Sequence, residues 1–340
     1  MSQGATVPYH LRTTKTADRS LFVDLLRRME RWHPFDRHVY VSMGGYPMAD
    51  HHRVHRILGL QHMLSLEENP STVPRQLFNR PTKQCRCLPM AMSEFVEDPR
   101  SAIAQAGIRV KDYDNYIVWL DYTEPAKLRS QLDEFAALIR ASDHRDIIRV
   151  TLNANYKAVK GGGDASVKRT DKAKGRLEWL RRHLGDLFPE DTTVASLSDE
   201  TYPRLLSRML RNVASRSTAS NSKVVPLSLV TYADGQRMLA ATMAIASDEE
   251  TEEDVRSAAN LNNWPLVSRA WDEVHDLRIA TLTGRERAFL DRNLPTVPAR
   301  KLLRDLKFDL FEGQTEDQAA DYLEKYGSLL RFYPNFVAID

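Results

Sequence analysis

Apolar residues recur at helical spacing near the start of the chain. Leu21, Leu25, Met29 and Trp32 share one face, and Phe22 and Leu26 widen it, so residues 17–33 are expected to form an amphipathic helix that Pro34 stops. The pattern then shortens. Residues 38–43 read as a strand that ends at Gly44-Gly45-Tyr46-Pro47. Asp50 suits the cap of a helix whose stripe is Val54, Ile57 and Leu58 and whose stop is Gly59. Residues 62–66 predict a second strand, 73–79 a short helix, 84–90 a third strand and 114–120 a buried fourth. Leu128, Leu132, Phe135, Leu138 and Ile139 share the face of a long helix, and residues 146–152 are again rich in strand formers. Further on, residues 224–232 and 237–246 predict two strands joined at Asp234-Gly235, a strong hairpin signal. From about residue 252 the pattern is helical, with Leu302, Leu303, Leu306 and Leu310 in one stripe.

Strand and helix in alternation imply right-handed crossovers. The expected fold class is α/β: a Rossmann-like, mostly parallel sheet ending in an antiparallel hairpin, with a helical C-terminal extension. The expected divisions are an N-terminal helical segment at 1–35, the sheet domain at 36–246 with a basic loop at 157–183, and a helical extension at 247–340.

Composition narrows the class. The chain has 340 residues, 42% hydrophobic and 28% charged, enough to bury a core without covalent staples. Cys85 and Cys87 cannot build a disulfide framework, so a reducing, cytoplasmic compartment is expected. No apolar run approaches the roughly 20 residues that span a bilayer, and the first 20 residues lack a signal peptide's apolar region. The formal charge of +2 demands no polyanion partner, so any such preference must be local. One local concentration exists. Lys157, Lys160, Lys168, Arg169, Lys172, Lys174, Arg176, Arg181 and Arg182 are opposed only by Asp164, Asp171 and Glu178, and Gly161 to Gly163 suggest a mobile loop. A solvated surface is the plain reading of this segment; a clamp for nucleic-acid phosphates is the sharper one.

Ligands on open parallel sheets bind beyond the carboxyl ends of the strands, where the strand order reverses. Gly44 and Gly45 let a ligand approach the backbone there. Glu67 and Glu68 end the second strand, where a carboxylate can accept two hydrogen bonds from a ribose diol. Asp121, Tyr122 and Glu124 follow the fourth strand beside the same crevice.

This ordered set resembles the class I S-adenosylmethionine-dependent methyltransferases, and among them the O-methyltransferases of uncharacterised prokaryotic families. That family has a glycine-rich turn after strand one, an acid after strand two, an acidic or polar motif after strand four, and a closing antiparallel hairpin. The stretch Leu282-Thr283-Gly284-Arg285-Glu286-Arg287 and the stretch Tyr333-Pro334-Asn335-Phe336 add to the likeness without a mechanism. The resemblance implies S-adenosylmethionine as cofactor. Gly44 and Gly45 would contact its methionine moiety, and Glu67, or Glu68 one residue on, would hold the ribose. Ser93, Glu94 and Phe95 would border the adenine, Phe95 by packing. Asp121 and Tyr122 would face the methyl group and the acceptor, with Asp121 or Glu124 as base for an oxygen nucleophile. Asp121 could also hold Mg2+, as in some catechol methyltransferases. Two departures stand out: Ser42-Met43, without an acid, precedes the glycines, and Tyr46 and Met48 occupy later turn positions.

Rival readings have their own signatures. A turn without GxGxxG argues against an NAD enzyme, and no GxxxxGK[ST] is present for a P-loop. His51, His52 and His55 lie within one helical turn but lack further metal ligands in sequence, and no metal site is expected. The irregular turn also fits a methyltransferase-like subunit that has lost transfer activity and mediates assembly. A protein partner or a second copy could then dock on the C-terminal helices.

Overall fold

The computed structural model describes residues 13–163, 168–277, 282–311 and 313–332. Two compact units emerge, one of Phe22–Asp276 and a smaller one of Met1–Leu21 with Leu277–Asp340. The larger unit thus extends beyond the expected 36–246 span at both ends. Helix α1 (Thr13–Met29) carries the first amphipathic stripe and contributes to both units.

The larger unit alternates as the pattern implies: β1 (His38–Ser42), α2 (Ala49–Leu58), β2 (His62–Leu66), α3 (Val73–Asn79), β3 (Cys85–Leu88), α4 (Met92–Glu97), α5 (Pro99–Gln105), β4 (Asn115–Asp121), α6 (Leu128–Arg140) and β5 (Ile147–Asn153). Then come α7 (Arg169–Leu184), α8 (Tyr202–Ser217), β6 (Ser222–Asp234), β7 (Gln236–Ser247), α9 (Glu252–Ala258) and the short β8 (His275–Leu277). The strands form one sheet in the order β3-β2-β1-β4-β5-β7-β6-β8. The first five are parallel, and β7 runs antiparallel to both β5 and β6. The order reverses between β1 and β4, the kind of switch point at which ligands bind on open α/β sheets.

Burial explains the strands. β1 and β5 are buried at every position, as expected of central parallel strands covered on both faces. The core joins Val39, Val41, Leu64, Val118, Leu120, Phe135 and Leu206 across the sheet and its helices. Trp119 is core as well, its indole Nε1 donating to Thr151 Oγ1 at 2.9 Å. Cys85 and Cys87 are free, buried thiols on β3.

Most of the basic segment is not a loop. From Arg169 it forms α7, because Leu177, Leu180 and Leu184 recur at helical spacing and bury one face while the cations stay outside. A Cβ on Gly175 would meet the Gly161 carbonyl oxygen at 2.0 Å, so the preceding loop lies directly on this helix. Asp164 falls outside the described residues.

In the smaller unit are α10 (Gly284–Asn293), α11 (Ala299–Leu306) and α12 (Glu316–Leu329). Thr283 with Glu286 and Thr315 with Gln318 form capping boxes that start α10 and α12. The tyrosine hydroxyl of Tyr326 donates to Asp291 at 2.8 Å. Tyr333 to Phe336 lie outside the described residues. Among the described residues no helix is long and apolar enough to cross a membrane.

The amino-terminal edge of the sheet carries a pH-sensitive group. His38 is buried at the start of β1 and donates from Nε2 to the Arg145 carbonyl at 3.2 Å. Burial pushes its imidazole down from the ordinary 6.5 to about 4. The unfolded chain therefore takes up a proton near pH 6.5 that the fold refuses until about pH 4, so stability is lost as pH falls through that window. Denaturant titrations between pH 7 and 4 should show the wild type losing on the order of 3 kcal/mol more than His38→Leu. Parallel pH profiles for the two proteins would contradict this assignment.

Candidate active site

Strand register assembles the site. Ser42 pairs with Ser65 on β2 and with Trp119 on β4. Two residues beyond each of these stand Gly44, Glu67 and Asp121, so a glycine and two carboxylates end three adjacent strands in one row. Neighbouring strands lie about 4.8 Å apart, so the row spans roughly 10 Å. The sequence-expected Gly44, Glu67 and Asp121 are thereby brought together.

What lies beneath the glycine turn is not legible from spacing. The pattern puts Asp50 at the cap of α2, but the helix begins at Ala49, with Met48 before it at a φ of 52°. Asp50 instead points into the protein. Tyr40 donates to its Oδ2 at 2.8 Å, and the Ser42 hydroxyl donates to the same oxygen. A carboxylate thus lies beneath the strand end, contributed by the helix that follows the glycines. His51, wholly buried, pairs its Nδ1 with Asp50 Oδ1 at 3.4 Å and donates from Nε2 to the Leu64 carbonyl at 3.2 Å. Burial would lower the His51 pKa, but the Asp50 carboxylate and the Leu64 carbonyl outweigh it, and the net direction is up. Nε2 is thus hydrogen-bonded, whereas Nδ1 makes only the longer approach to Asp50.

Gly44 rests on this pair. A Cβ there would stand 2.7 Å from His51 Nδ1 and 3.0 Å from Ser65 Oγ, so only glycine fits. The Gly44 amide donates to Ser65 Oγ at 3.3 Å. Gly45 has φ +56° and its Cβ direction is open, with Pro47 Cδ at 3.6 Å. The two glycines therefore differ: the first is needed by the protein's own packing, the second leaves room above the turn.

The remaining expected residues divide sharply. Glu67 is half-buried; its carboxylate accepts from the Asn69 amide at 3.0 Å and from Gln76 Nε2 at 3.3 Å, which aims it while leaving lone pairs over. Glu68 is exposed. Asp121 is half-buried at the end of β4. Asn153 Nδ2 donates to the Thr123 carbonyl at 3.0 Å and holds the loop that follows. Glu124 is exposed and pairs with Lys127 at 3.3 Å, one helical turn away. Phe95 is 0% exposed within the core. Glu94 is spent on the Ala91 amide at 3.3 Å, and Ser93 beside it is exposed on the first turn of α4. Tyr122 is buried, and its hydroxyl donates to Glu134 of α6 at 2.5 Å rather than facing an acceptor. Burial raises the pKa of both Tyr122 and Glu134.

The three neighbouring histidines each spend a ring nitrogen on a carbonyl: His51 on Leu64, His52 on Asn79 at 2.6 Å, and His55 on Leu60 at 3.0 Å. Among the described residues no group of three or more His, Cys, Asp or Glu is placed to hold a metal ion.

The contrast between the glycines is measurable. Gly44→Ala must push against a buried ion pair and should cost about 1–3 kcal/mol of stability, whereas Gly45→Ala should cost about 1 kcal/mol of backbone strain alone. Equal melting temperatures for the two variants would show that His51 does not sit under Gly44.

A search of curated proteins found none that matches the chain. Solved structures similar to it include Trm1 from Pyrococcus horikoshii in complex with S-adenosyl-L-methionine, at 9% identity and a TM-score of 0.42, over 72% of this chain and 57% of that one. LepI in complex with SAM is 12% identical with a TM-score of 0.36, over 65% of this chain and 46% of that one. The plantazolicin methyltransferase BpumL in complex with SAH is 8% identical with a TM-score of 0.37, over 68% and 85%. The chain spans about half the length of the first two. A family model described as "Putative O-methyltransferase" matches residues 7–340, and the chain belongs to that family.

Proposed function

We propose that the protein transfers a methyl group from S-adenosylmethionine to an oxygen of a nucleic-acid acceptor. The row of Gly44, Glu67 and Asp121 across β1, β2 and β4 carries this reading, and membership of an O-methyltransferase family supports it. When bound, the cofactor supplies an electrophilic methyl group on a sulfonium, so the protein's task is chiefly alignment. Glu67 would hold the ribose hydroxyls. The open side of Gly45 would take the methionine moiety. The adenine would lie against the residues after β3, Pro89 to Ala91, rather than against Phe95. Asp121, half-buried at the end of β4 and in the row, would serve as base for an oxygen nucleophile, with the exposed Glu124 further along the same loop.

The acceptor class rests on α7. This helix follows β5 and so starts from the same edge of the sheet as the row. Among the described residues, Lys168, Arg169, Lys172, Lys174 and Arg182 carry no ion pair. Three of these cluster at the helix N-terminus, where the helix dipole already repels cations and welcomes an anion. Arg176 is held differently, donating to the Lys157 carbonyl at 3.2 Å.

Calorimetric titration tests the cofactor. S-adenosylhomocysteine should bind the wild type with micromolar affinity and Gly45→Trp at least about tenfold more weakly, while NAD gives no heat. Binding that survives in Gly45→Trp would move the site elsewhere; absence of any binding would favour the assembly-subunit reading. For the acceptor, binding of a short RNA should weaken with salt. Lys172→Glu with Arg182→Glu should reduce the slope of log K against log salt by roughly 0.7–0.9 for each phosphate that is no longer neutralised. An unchanged slope would remove α7 from the acceptor site.

A further inference from the structure

The opposite, amino-terminal edge of the sheet holds a second place for a ligand. A cavity of 720 Å³ opens there between the C-terminal half of α8, the start of β6 and the loop carrying Trp271. Its location follows from register: β6 begins at Ser222, and His144, just before β5, bonds the Ser222 hydroxyl at 2.9 Å. This is where β5 starts, whereas Gly44, Glu67 and Asp121 stand where strands end. Its size falls within the range of about 300–1,000 Å³ typical of small-molecule sites.

The lining is charged and unevenly answered. Arg208, Arg211, Lys223 and Arg269 face Glu252 and Asp272. Glu252 is already neutralised from behind, because the buried Arg256 donates to it at 2.9 Å. Arg208 is paired with Asp191, and Arg269 reaches Glu273 at 3.9 Å. Arg211 and Lys223 carry no ion pair among the described residues, and Lys223 is half-buried. Asp254 feels the Lys223 charge through space, but its carboxylate is spent on capping α9 with Thr251. A partly exposed ammonium with no carboxylate in contact leaves its donors available to an anion. Trp271, half-buried and packed against the core, also lines the cavity, and its backbone is fastened by the Ser207 hydroxyl donating to the Trp271 carbonyl.

We propose that this cavity binds a nucleotide, its phosphate on Arg211 and Lys223 and its base against the Trp271 indole. Paired cations select the phosphate, and an aromatic ring beside them selects a planar base. The nucleotide is either free or one unit of a nucleic-acid chain. The site is independent of the cofactor reading, since it shares no residue with the carboxyl-edge row.

The full chain should be titrated with adenosine 5′-monophosphate, with adenosine, and with a ten-residue oligoadenylate. Adenosine 5′-monophosphate should bind saturably and adenosine at least about tenfold more weakly. Arg211→Glu and Lys223→Glu should each weaken the phosphate-bearing probe by about tenfold or more at an unchanged melting temperature, and Trp271→Ala should weaken it as well. Arg211 is exposed, so its variant remains informative if Lys223→Glu perturbs the fold. Oligoadenylate binding without monophosphate binding, lost in the same variants, would assign the nucleotide to a nucleic-acid chain. Binding that persists in both charge variants, equal affinity for adenosine and its monophosphate, or no binding of either phosphate-bearing probe would overturn the proposal.

Discussion

The candidate site depends on one buried aspartate–histidine contact. Asp50 and His51 are consecutive residues in the first turn of α2, and both turn inward instead of capping the helix. Asp50 collects the hydroxyls of Tyr40 and Ser42, and His51 reaches across to the Leu64 carbonyl of β2. The pair therefore ties two strands and a helix at the point where the glycine turn must sit. A buried pair of this kind contributes little net stability, but removing one partner strands the other and costs about 3–5 kcal/mol. What it supplies here is geometry: the imidazole lies where a Gly44 side chain would be, so the turn has one way to pack.

From that anchor the strand register does the rest. Ladder pairing across β2, β1 and β4 sets Glu67, Gly44 and Asp121 side by side. The reversal of strand order beside β1 then leaves the space above them uncovered by a crossover helix. The same logic separates the two edges of the sheet. Strand ends carry the carboxylate row, and strand starts carry the cavity lined by Arg211, Lys223 and Trp271.

Much of this is legible in the chain because local periodicity and turn chemistry act over a few residues. The expected bounds of β2 at 62–66 and of α3 at 73–79 coincide with the structure, and the Asp234-Gly235 hairpin joins β6 to β7. Gly44-Gly45, Glu67 and Asp121 are readable as punctuation at strand ends. The burial of Phe95 and the inward turn of Tyr122 are not, because a residue just past a strand end can face either the crevice or the core, and tertiary packing decides. Asp50 deceives for a related reason: an Asp beside a helix start reads as a cap, and nothing local signals that Tyr40 and Ser42 will compete for it. The length of α7 is hidden by its charge, since three buried leucines at helical spacing are outnumbered by solvated cations.

Histidine-selective 15N NMR during titration with S-adenosylhomocysteine reads the turn itself, because His51 lies directly beneath the turn proposed to hold the cofactor. His51 should hold its ring proton to higher pH than an ordinary imidazole, and its signals should shift as the ligand saturates. A His51 ring that loses its proton at lower pH than an ordinary imidazole, or His51 signals that stay fixed while the ligand binds, would overturn this placement.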